Sequence, residues 1–268
     1  MDKPYWKKYQ WNIWSPKSDP LPKMVHSFKG ISLCTVCMGR TEDLKKTLIQ
    51  NIFDNADYPN LEFVILNYNS MDDMDIFMTS NLIYPYIKNG KIKYLKTNRP
   101  RFYSTSHSRN IAFRNASNSI VINVDADNYT GKGFATYINN LAYLCPQKAL
   151  FSKGKYRTHG RIGMYKNEFE KIGGYDEDLI GYGWEDISLL IRTMNANFKM
   201  MWWAGNQIDF TKRINTPKNR VSEYMENIDW MATEIINKEI TFDKVNKNEL
   251  VVNKNRQWGF VDDLKVIR

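Results

Sequence analysis

The stretch Ser119-Ile-Val-Ile-Asn-Val-Asp125-Ala-Asp127 joins an apolar run to two acidic residues. A short run rich in β-branched residues is typical of a buried central strand. Burial disfavours ionised carboxylates, so two of them at the end of such a strand need a partner. A divalent cation is the usual partner, and oxygen ligands suit magnesium, calcium or manganese. Taken alone, the pattern also fits a strand that ends in a polar turn.

The composition is that of an ordinary globular protein, with 268 residues, 43% hydrophobic and 25% charged. This length suits one large α/β domain or two small ones. No run approaches the roughly 18 apolar residues of a membrane-spanning helix, and the first residues lack the apolar core of a signal peptide. We therefore expect a cytoplasmic protein.

The charge balance is basic, with 38 Lys and Arg against 29 Asp and Glu and a formal net charge of +9. A basic surplus attracts polyanions such as nucleic acid, anionic lipid or a nucleotide diphosphate.

The chain has three cysteines, which fit a reducing compartment better than a disulfide framework. Cys34 and Cys37 have the spacing of a redox or zinc motif. They lie in a predicted strand, where cysteine packs well as a small apolar residue. We therefore interpret both as packing residues rather than as a redox or zinc motif.

Strand and helix signals alternate from residue 31 onward. This βαβαβαβ order predicts α/β architecture with a single, mainly parallel sheet flanked by helices on both faces. Ligands of such sheets bind beyond the carboxyl ends of the strands, where the strand order switches. The predicted strands are 31–37, 61–66, 92–95 and 119–124. Three helices are predicted between them: one with Thr41 as its N-cap, one over 72–87 and one over 106–115.

The second half continues the pattern less regularly. Helices are predicted over 134–144, 184–195 and 221–238, and strands over 149–152, 161–165 and 198–203. We divide the chain into an N-terminal aromatic and basic arm (1–29), a main domain (30–214) and a C-terminal helical extension (215–268).

A second acidic pair follows two glycines, in Gly181-Tyr-Gly-Trp184-Glu185-Asp186. The glycines permit a sharp turn, and the two carboxylates stand where a helix begins. Acidic residues in a first helical turn often serve only to stabilise the helix. The alternative is a general base beside a carboxylate that orients a substrate.

An ordered series of motifs connects these features over residues 30–214. The motifs are Asn67-Tyr-Asn-Ser-Met-Asp72, Ser108-Arg109-Asn110, Asp125-Ala-Asp127, Gly173-Gly-Tyr-Asp-Glu-Asp178 and Trp184-Glu185-Asp186. With its motifs in this order, the chain resembles the family 2 inverting glycosyltransferases with the Rossmann-like A-type nucleotide-sugar fold (GT-A). Its latter half resembles galactosyl- and N-acetylgalactosaminyl-transferases.

The resemblance implies that residues 30–214 form a catalytic domain. It would move a hexose or N-acetylhexosamine from a UDP-sugar donor to a hydroxyl acceptor, with inversion. The implied cofactor is Mn²⁺ or Mg²⁺, bound by Asp127 and, as further candidates, by Asp125 and Asp209.

The resemblance also implies the remaining roles. Asp186 would be the catalytic base, and Glu185 and Trp184 would orient the acceptor. The implied nucleotide-sugar-binding residues are Val36, Met38, Arg40, Asn67, Arg109, Asp125 and Ala126. The basic residues Lys212, Arg213, Lys218 and Arg220 could form either a lid over the diphosphate or a solvated loop.

Two features depart from the family pattern. Aspartates usually occupy the end of the second strand, where this chain has Asn67 and Tyr68. Many relatives supply a late histidine to the metal, but residues 202–210 contain none, so Asn206, Asp209 or water would replace it. We expect the histidines to form surface or local hydrogen bonds, and His107 is the best placed of them for a role in the site.

The acceptor class stays open at this point. A glycan under construction is the first choice. Modified DNA is the second, because the chain is both basic and rich in aromatic residues, as single-strand or flipped-base binding requires. The rival to an enzyme function is a non-catalytic binding module that keeps the fold, and the two departures motivate it.

Overall fold

The computed structural model describes residues 13–14, 27–152, 160–202, 212–214 and 230–268. Predicted features at 206, 209, 218, 220 and 221–229 lie outside these residues. Within the described residues, no helix is both long and apolar enough to cross a membrane. The strands are β1 (Ile13–Trp14), β2 (Ile31–Cys37), β3 (Leu61–Tyr68), β4 (Ile92–Thr97), β5 (Ile120–Asn123), β6 (Ala149–Ser152), β7 (Ile162–Tyr165), β8 (Lys199–Trp202) and β9 (Lys265–Ile267).

Eight helices accompany these strands in the described part of the chain. They are α1 (Thr41–Asp54), α2 (Met74–Met78), α3 (Tyr84–Lys88), α4 (Thr105–Asn115), α5 (Phe134–Leu144), α6 (Lys166–Lys171), α7 (Glu185–Asn195) and α8 (Trp230–Asn246).

The described strands form one sheet in the order β1-β8-β6-β7-β5-β2-β3-β4-β9. The pairs β1–β8, β8–β6, β5–β2, β2–β3 and β3–β4 are parallel. The pairs β6–β7, β7–β5 and β4–β9 are antiparallel. The predicted single, mainly parallel sheet is therefore confirmed.

The strand order reverses between β2 and β5. The chain adds β3 and then β4 on one side of β2, and α4 then returns it across the sheet so that β5 pairs with the other side of β2. The loops that follow β2 and β5 meet at the carboxyl edge beside this reversal, which is where ligands of such sheets bind. Arg40 follows β2 and Asp125 follows β5, so both lie at this switch point.

Apolar side chains cover both faces of the sheet. Leu44, Leu48 and Ile52 of α1 belong to the core on one face, and Ile111 and Phe113 of α4 belong to the core on the other. Spacings of three or four residues place such side chains on one side of a helix. Because both faces are covered, every residue of β2 is buried.

The cysteines of β2 are part of this packing. Cys34 and Cys37 are both free thiols with 0% exposure. Burial raises the pKa of the Cys37 thiol to about 12. These thiols therefore pack as small apolar groups, as their position in a strand indicated.

The predicted helix over 72–87 is wrong in its continuity, since the segment forms two short helices, α2 and α3. The Ser80 hydroxyl donates to the Phe77 carbonyl at 2.6 Å, which satisfies a group that a longer helix would use itself. Pro85 then stands in the first turn of α3, where its missing N–H costs nothing.

The prediction of Thr41 as N-cap is also wrong. Arg40 holds the cap position of α1, and Thr41 is its first helical residue. The Asp72 carboxylate accepts from the Thr41 N–H at 3.0 Å and from its hydroxyl at 2.7 Å. A side chain from the loop after β3 therefore satisfies this helix end, which a local motif could not indicate.

The chain termini contribute strands that the sequence did not predict. β9 pairs with the edge strand β4, so residues 230–268 supply a strand as well as a helix. β1, from within the segment 1–29, pairs with β8 at the opposite edge. The division at residues 29 and 214 stays a prediction.

Asn253 connects the C-terminal segment to the Gly173–Asp178 loop. It has a φ of +57°, a left-handed conformation that asparagine tolerates. Its Nδ2 donates to the carbonyls of Gly173 and Tyr175, each at 2.7 Å, and its Oδ1 accepts from the Glu177 N–H at 3.1 Å. The side chain thus replaces backbone partners that this loop lacks.

We predict that Asn253→Ala lowers the free energy of unfolding by about 3 kcal/mol, because it removes buried hydrogen bonds and strains the backbone. Asn248→Ala is the matched control, since Asn248 has a φ of +58° and is exposed. It should cost only about 1 kcal/mol, the backbone part alone. Urea unfolding of both variants measures the difference, and equal losses would contradict the assigned role of Asn253.

Candidate active site

The guanidinium of Arg109 joins two acidic residues that are distant in sequence. Its Nη2 donates to Asp125 Oδ1 at 3.0 Å, and its Nη1 donates to Glu185 Oε1 at 2.9 Å. Only 6% of the Arg109 side chain is exposed. Burial opposes its charge, but Asp125 and Glu185 outweigh burial and raise the pKa of Arg109 above its usual value. The strand-end aspartates and the Glu185-Asp186 pair therefore border one site.

Helix α4 places Arg109 and, with the next residue, organises a second loop. Asn110 brackets the backbone of Tyr175, donating to its carbonyl at 2.9 Å and accepting from its N–H at 2.8 Å. The Tyr175 ring in turn lies 5.6 Å below the Arg109 guanidinium. Gly174 is required here, because its φ is +69° and a Cβ would lie 2.6 Å from Asn110 Oδ1. The Ser108-Arg109-Asn110 motif thus links the acids to the Gly173–Asp178 loop.

The two aspartates after β5 have different surroundings. Asp125 Oδ1 accepts from Arg109 and, at 2.7 Å, from Asn123 Nδ2. Burial opposes ionisation of Asp125, but Arg109 and this hydrogen bond lower its pKa. Burial and the charge of Asp125 instead raise the pKa of Asp127, and the nearest cation, Arg40 Nη2, lies 3.4 Å away.

Side chains from β2 and α1 hold the backbone of the aspartate loop in place. A loop at the end of a buried strand has carbonyl groups that the sheet no longer pairs, and buried carbonyls need donors. These donors are Thr35 Oγ1 to the Val124 carbonyl at 2.7 Å, Thr47 Oγ1 to the Ala126 carbonyl at 2.6 Å and Asn51 Nδ2 to the Asn128 carbonyl at 3.0 Å.

The described residues 212–214 run alongside the same loop. The Ile214 N–H donates to the Asp127 carbonyl at 2.8 Å, and the Tyr129 N–H donates to the Lys212 carbonyl at 2.9 Å. Lys212 lies over the Tyr129 ring, and Arg213 pairs with Asn128 in a β-bridge. Lys212 and Arg213 therefore lie beside Tyr129 and Asn128, the residues that follow Asp127.

The second acidic pair stands at the start of α7. Trp184 holds the N-cap position with a φ of +69°, which is unusual for a bulky side chain and marks local strain. Its ring is half-buried and meets the edge of Phe242 at 5.7 Å. This turn presents Glu185 and Asp186 side by side above Arg109.

Both carboxyl groups of this pair are harder to ionise than usual. Burial, and then the charge of Asp186, raises the pKa of Glu185 to about 7 against the opposing effect of Arg109. Burial likewise raises the pKa of Asp186, although Arg109 and the Ile187 N–H favour its charge. Of the two, only Glu185 is bonded directly to Arg109 in the structure. A carboxylate with a raised pKa suits proton transfer near neutral pH.

Helix α8 supports the loop that leads to this pair. Asn237 is buried, and its Nδ2 donates to the carbonyls of Ile180 and Gly183, each at 2.8 Å. Lys244 Nζ reaches Asp176 at 2.7 Å and Asp178 at 2.5 Å in the preceding loop. One helix therefore positions both glycine-containing loops of the site.

Several predicted nucleotide-binding residues are buried away from solvent. Val36 is 8% exposed and Ala126 is 6% exposed, and Met38 packs against the core. Asn67 is 1% exposed, and its amide nitrogen donates to Asp75 and to Tyr94, each at 3.1 Å. These contacts give Asn67 a structural role at the end of β3, and a direct contact with a nucleotide would have to break them.

Two residues near the aspartates were missed by the sequence analysis. Asn123 lies two residues before Asp125, so the twofold periodicity of a strand could have indicated that they share a face. Arg161 precedes β7, is 5% exposed and attracts both Asp125 and Asp127. Burial lowers the pKa of Arg161 to about 10 despite these acids. No local motif indicates its position.

His107 forms local hydrogen bonds, as expected for the histidines. Its Nε2 donates to the Phe260 carbonyl at 2.9 Å, so its Nδ1 accepts from the Tyr68 hydroxyl at 2.7 Å in the neutral ring. His26 and His159, like the predicted metal ligand Asp209, lie outside the described residues.

The residues of the aspartate loop fit a divalent cation. Asp125 Oδ2 accepts no hydrogen bond from the described residues, and the only cation beside Asp127 Oδ2 in that part of the chain is Arg40. Mg²⁺ commonly takes one or two carboxylates from a protein and completes its shell with water and substrate phosphates. Across the described ranges, no three acidic, histidine or cysteine side chains gather into a metal-binding group.

We predict that Arg109→Met lowers the free energy of unfolding by about 2–4 kcal/mol, because it leaves two carboxylates without their shared cation: Glu185, which is 13% exposed, and Asp125, which is 41% exposed. Arg99→Met is the control, since Arg99 and Asp262 form a pair at 3.2 Å with side chains 66% and 63% exposed. That variant should change stability by less than about 1 kcal/mol. Equal effects in chemical denaturation would show that the Arg109 bridge is dispensable.

A family model matches part of the chain. The family model described as the N-terminal domain of galactosyltransferase matches residues 148–226, which include Trp184, Glu185 and Asp186. No curated protein matches the chain in a sequence search.

Solved structures resemble most of the chain. The mannosyltransferase PcManGT from Pyrobaculum calidifontis, in complex with GDP-Man and Mn²⁺, has a TM-score of 0.62 at 18% identity, covering 90% of this chain and 69% of that one. S. aureus TarS 1–349 with UDP-GlcNAc has a TM-score of 0.58 at 12% identity, with 84% and 74% covered. GalNAc-T7 with UDP, GalNAc and Mn²⁺ has a TM-score of 0.58 at 13% identity, covering 82% of this chain and 50% of that one.

At these identities the likeness to solved structures establishes the fold. The match of residues 148–226, a segment that includes the second acidic motif, is to a galactosyltransferase model. Both findings support the prediction that the chain is a glycosyltransferase. The predicted resemblance is confirmed at this coarser level: the chain has the GT-A glycosyltransferase fold, and its residues 148–226 are similar to galactosyltransferases.

Proposed function

We propose that this protein is an inverting, metal-dependent glycosyltransferase. It moves a hexose or N-acetylhexosamine from a UDP-sugar to a hydroxyl group, with a glycan as the preferred acceptor class. The observation that carries this proposal is the Arg109 bridge, which brings Asp125 and Glu185 to one cleft at the switch point of the sheet. Donor binding and acceptor activation need to lie that close for direct transfer.

The donor class rests on the relatives. The solved structures named above contain GDP-Man, UDP-GlcNAc, or UDP with GalNAc. We favour UDP because the galactosyltransferase-type segment lies in the half of the chain that carries the second acidic pair. Because Asn67 is engaged internally, recognition of the base would fall to other groups around the ends of β2 and β3.

Asp127 and Asp125 Oδ2 would hold the Mn²⁺ or Mg²⁺ ion. When bound, such an ion neutralises negative charge that develops on the departing diphosphate. Arg40, Lys212 and Arg213 add positive charge around the same loop. The residues on this side of the cleft therefore favour binding and departure of an anionic leaving group.

Asp186 would act as the general base. Glu185 is held by Arg109 at 2.9 Å, which leaves Asp186 as the carboxylate of the pair without a direct bond to that cation. It would take the proton of the acceptor hydroxyl while the oxygen forms a bond to the anomeric carbon. The bond from that carbon to the diphosphate breaks on the opposite face, so the configuration inverts, and Glu185 and Trp184 would orient the acceptor.

The acceptor and the location remain predictions from the sequence. Modified DNA stays the second acceptor class, supported by the net charge of +9. Binding to an oligonucleotide that weakens steeply with salt would favour it. A cytoplasmic location is the accompanying expectation.

We predict that Mn²⁺ stimulates release of UDP from a UDP-sugar and that EDTA and Asp127→Ala abolish this release. Asp186→Asn should reduce transfer by at least about 100-fold while changing the dissociation constant of UDP by less than about threefold, because it removes only the base. Thermal-shift screening of nucleotide sugars selects the donor.

Asp262→Asn serves as the control, since that carboxylate is exposed and pairs with the exposed Arg99. It should behave as wild type. Retained transfer in Asp186→Asn would exclude Asp186 as the base. A wild-type protein that binds UDP but releases none from any UDP-sugar would favour the non-catalytic binding module.

We also predict a pH dependence that belongs to the Glu185-Asp186 pair. The pKa of Glu185 is raised from its ordinary 4.5 to about 7, so the folded state binds this proton more tightly than the unfolded state. The free energy of unfolding therefore falls as pH rises between these values. Glu185→Gln removes the effect, so the stability of wild type relative to the variant should fall by about 2–3 kcal/mol from pH 4.5 to 7.5. Urea unfolding at intervals across this range tests it, and a constant difference would contradict the raised pKa.

A further inference from the structure

Two arginines neutralise the acids of the site in different ways. Arg109 is fixed, with a side chain that is 6% exposed and contacts of 3.0 and 2.9 Å to its two acids. Arg40 is more exposed, with 27% of its side chain accessible, and its Nη2 atom lies 3.4 Å from Asp127 Oδ2. Because N–H···O bonds in proteins usually span about 2.7–3.2 Å, the contact of Arg40 with Asp127 is weak.

A second acid holds the inner end of the same guanidinium. Arg40 Nε donates to Asp43 Oδ2 at 2.7 Å, and Asp43 is buried in the first turn of α1. The backbone of Arg40 is itself fixed at the N-cap position of that helix. The contact of Arg40 Nη2 with Asp127 can therefore change while the bond from Nε to Asp43 is kept.

Asp127 is also the more weakly held of the two aspartates. Its Oδ1 accepts from Asn128 Nδ2 at 3.2 Å, and its Oδ2 has the long contact with Arg40. Asp125 is held more tightly, at 2.7 Å by Asn123 and at 3.0 Å by Arg109. Asp127 can thus exchange its present partners for an incoming cation at a lower cost in free energy than Asp125.

We propose that Arg40 is a resident counter-ion of Asp127, that a divalent cation displaces its guanidinium, and that the guanidinium then turns to the donor diphosphate while Asp43 still holds it. The last step rests on the proposed function, whereas displacement requires only the metal. Arg40 therefore has two opposite effects: it competes with the metal for Asp127 and it assists binding of the diphosphate.

The first test measures Mn²⁺ binding without nucleotide, by the electron paramagnetic resonance signal of the free ion. Arg40→Gln should bind Mn²⁺ about three- to tenfold more tightly than wild type, because it removes both a competitor and a repelling charge. Lys45→Ala is the matched control, since Lys45 lies on the same helix and pairs with Glu42 and Asp73. It should change the affinity less than about twofold.

The second test measures UDP binding, where the same substitution should weaken the affinity rather than strengthen it. With Mn²⁺ at saturation, calorimetry should show that Arg40→Gln binds UDP about three- to tenfold more weakly than wild type, because a cation that faces the diphosphate is lost. A merely structural role of Arg40 would move both affinities in the same direction.

A third measurement uses the wild-type protein and decides the matter if the variant does not fold. In protein labelled with ¹⁵N and ¹³C at arginine, Mg²⁺ should shift the guanidinium resonances of Arg40 much more than those of Arg109. Arg40 loses its contact with Asp127, whereas Arg109 keeps its bonds to Asp125 Oδ1 and Glu185. Unchanged Arg40 resonances at saturating Mg²⁺ would overturn the displacement.

The outcomes separate this inference from the proposed function. If wild type binds Mn²⁺ through Asp127 and Arg40→Gln binds it equally or more weakly, the counter-ion role is wrong and the metal site stands. If neither protein binds Mn²⁺, the metal-dependent function and the inference both fall.

Discussion

The site depends on a buried arginine shared by two carboxylates. Without Arg109, Asp125 and Glu185 would place negative charges close to Asp127 and Asp186 in a poorly solvated cleft. Such charges would take up protons rather than stay ionised. The Arg109 guanidinium favours the ionised forms of Asp125 and Glu185, and it therefore keeps these two carboxylates close together in the cleft. The bridge therefore determines both where the acids stand and which of them carry charge.

The fold makes this bridge possible through its strand order. Helix α4 returns the chain across the sheet, which places Arg109 near the end of β5 and above the Gly173–Asp178 loop. The loops around the cleft contain left-handed glycines and lack regular partners of their own. Asn110, Asn237 and Asn253 supply those partners from three other segments. The last two belong to the C-terminal segment, which thus forms part of the site's support.

Patterns with a short period predicted the main elements correctly. The apolar run before Asp125 and the stripe Leu44, Leu48 and Ile52 both lie where periodicity indicated. The errors occurred where a distant group replaced a local one. Asp72 caps α1 in place of Thr41, and β9 joins β4 although its own residues are mostly exposed. The assignment of Asn67 to the nucleotide stays a prediction, and the structure shows that its amide nitrogen donates to Asp75 and Tyr94.

The sequence by itself determined the parallel α/β sheet, the position of Asp125 and Asp127 at a strand end and the Glu185-Asp186 pair at a helix start. These follow from local periodicity and from the low solubility of charge in a buried strand. Only the tertiary structure decided that Arg109 joins the two acidic pairs, that Asp125 is held tightly and Asp127 loosely, and that α8 carries the loops. Those facts depend on distances between residues far apart in the chain, and electrostatic and hydrogen-bond energies are functions of distance in space.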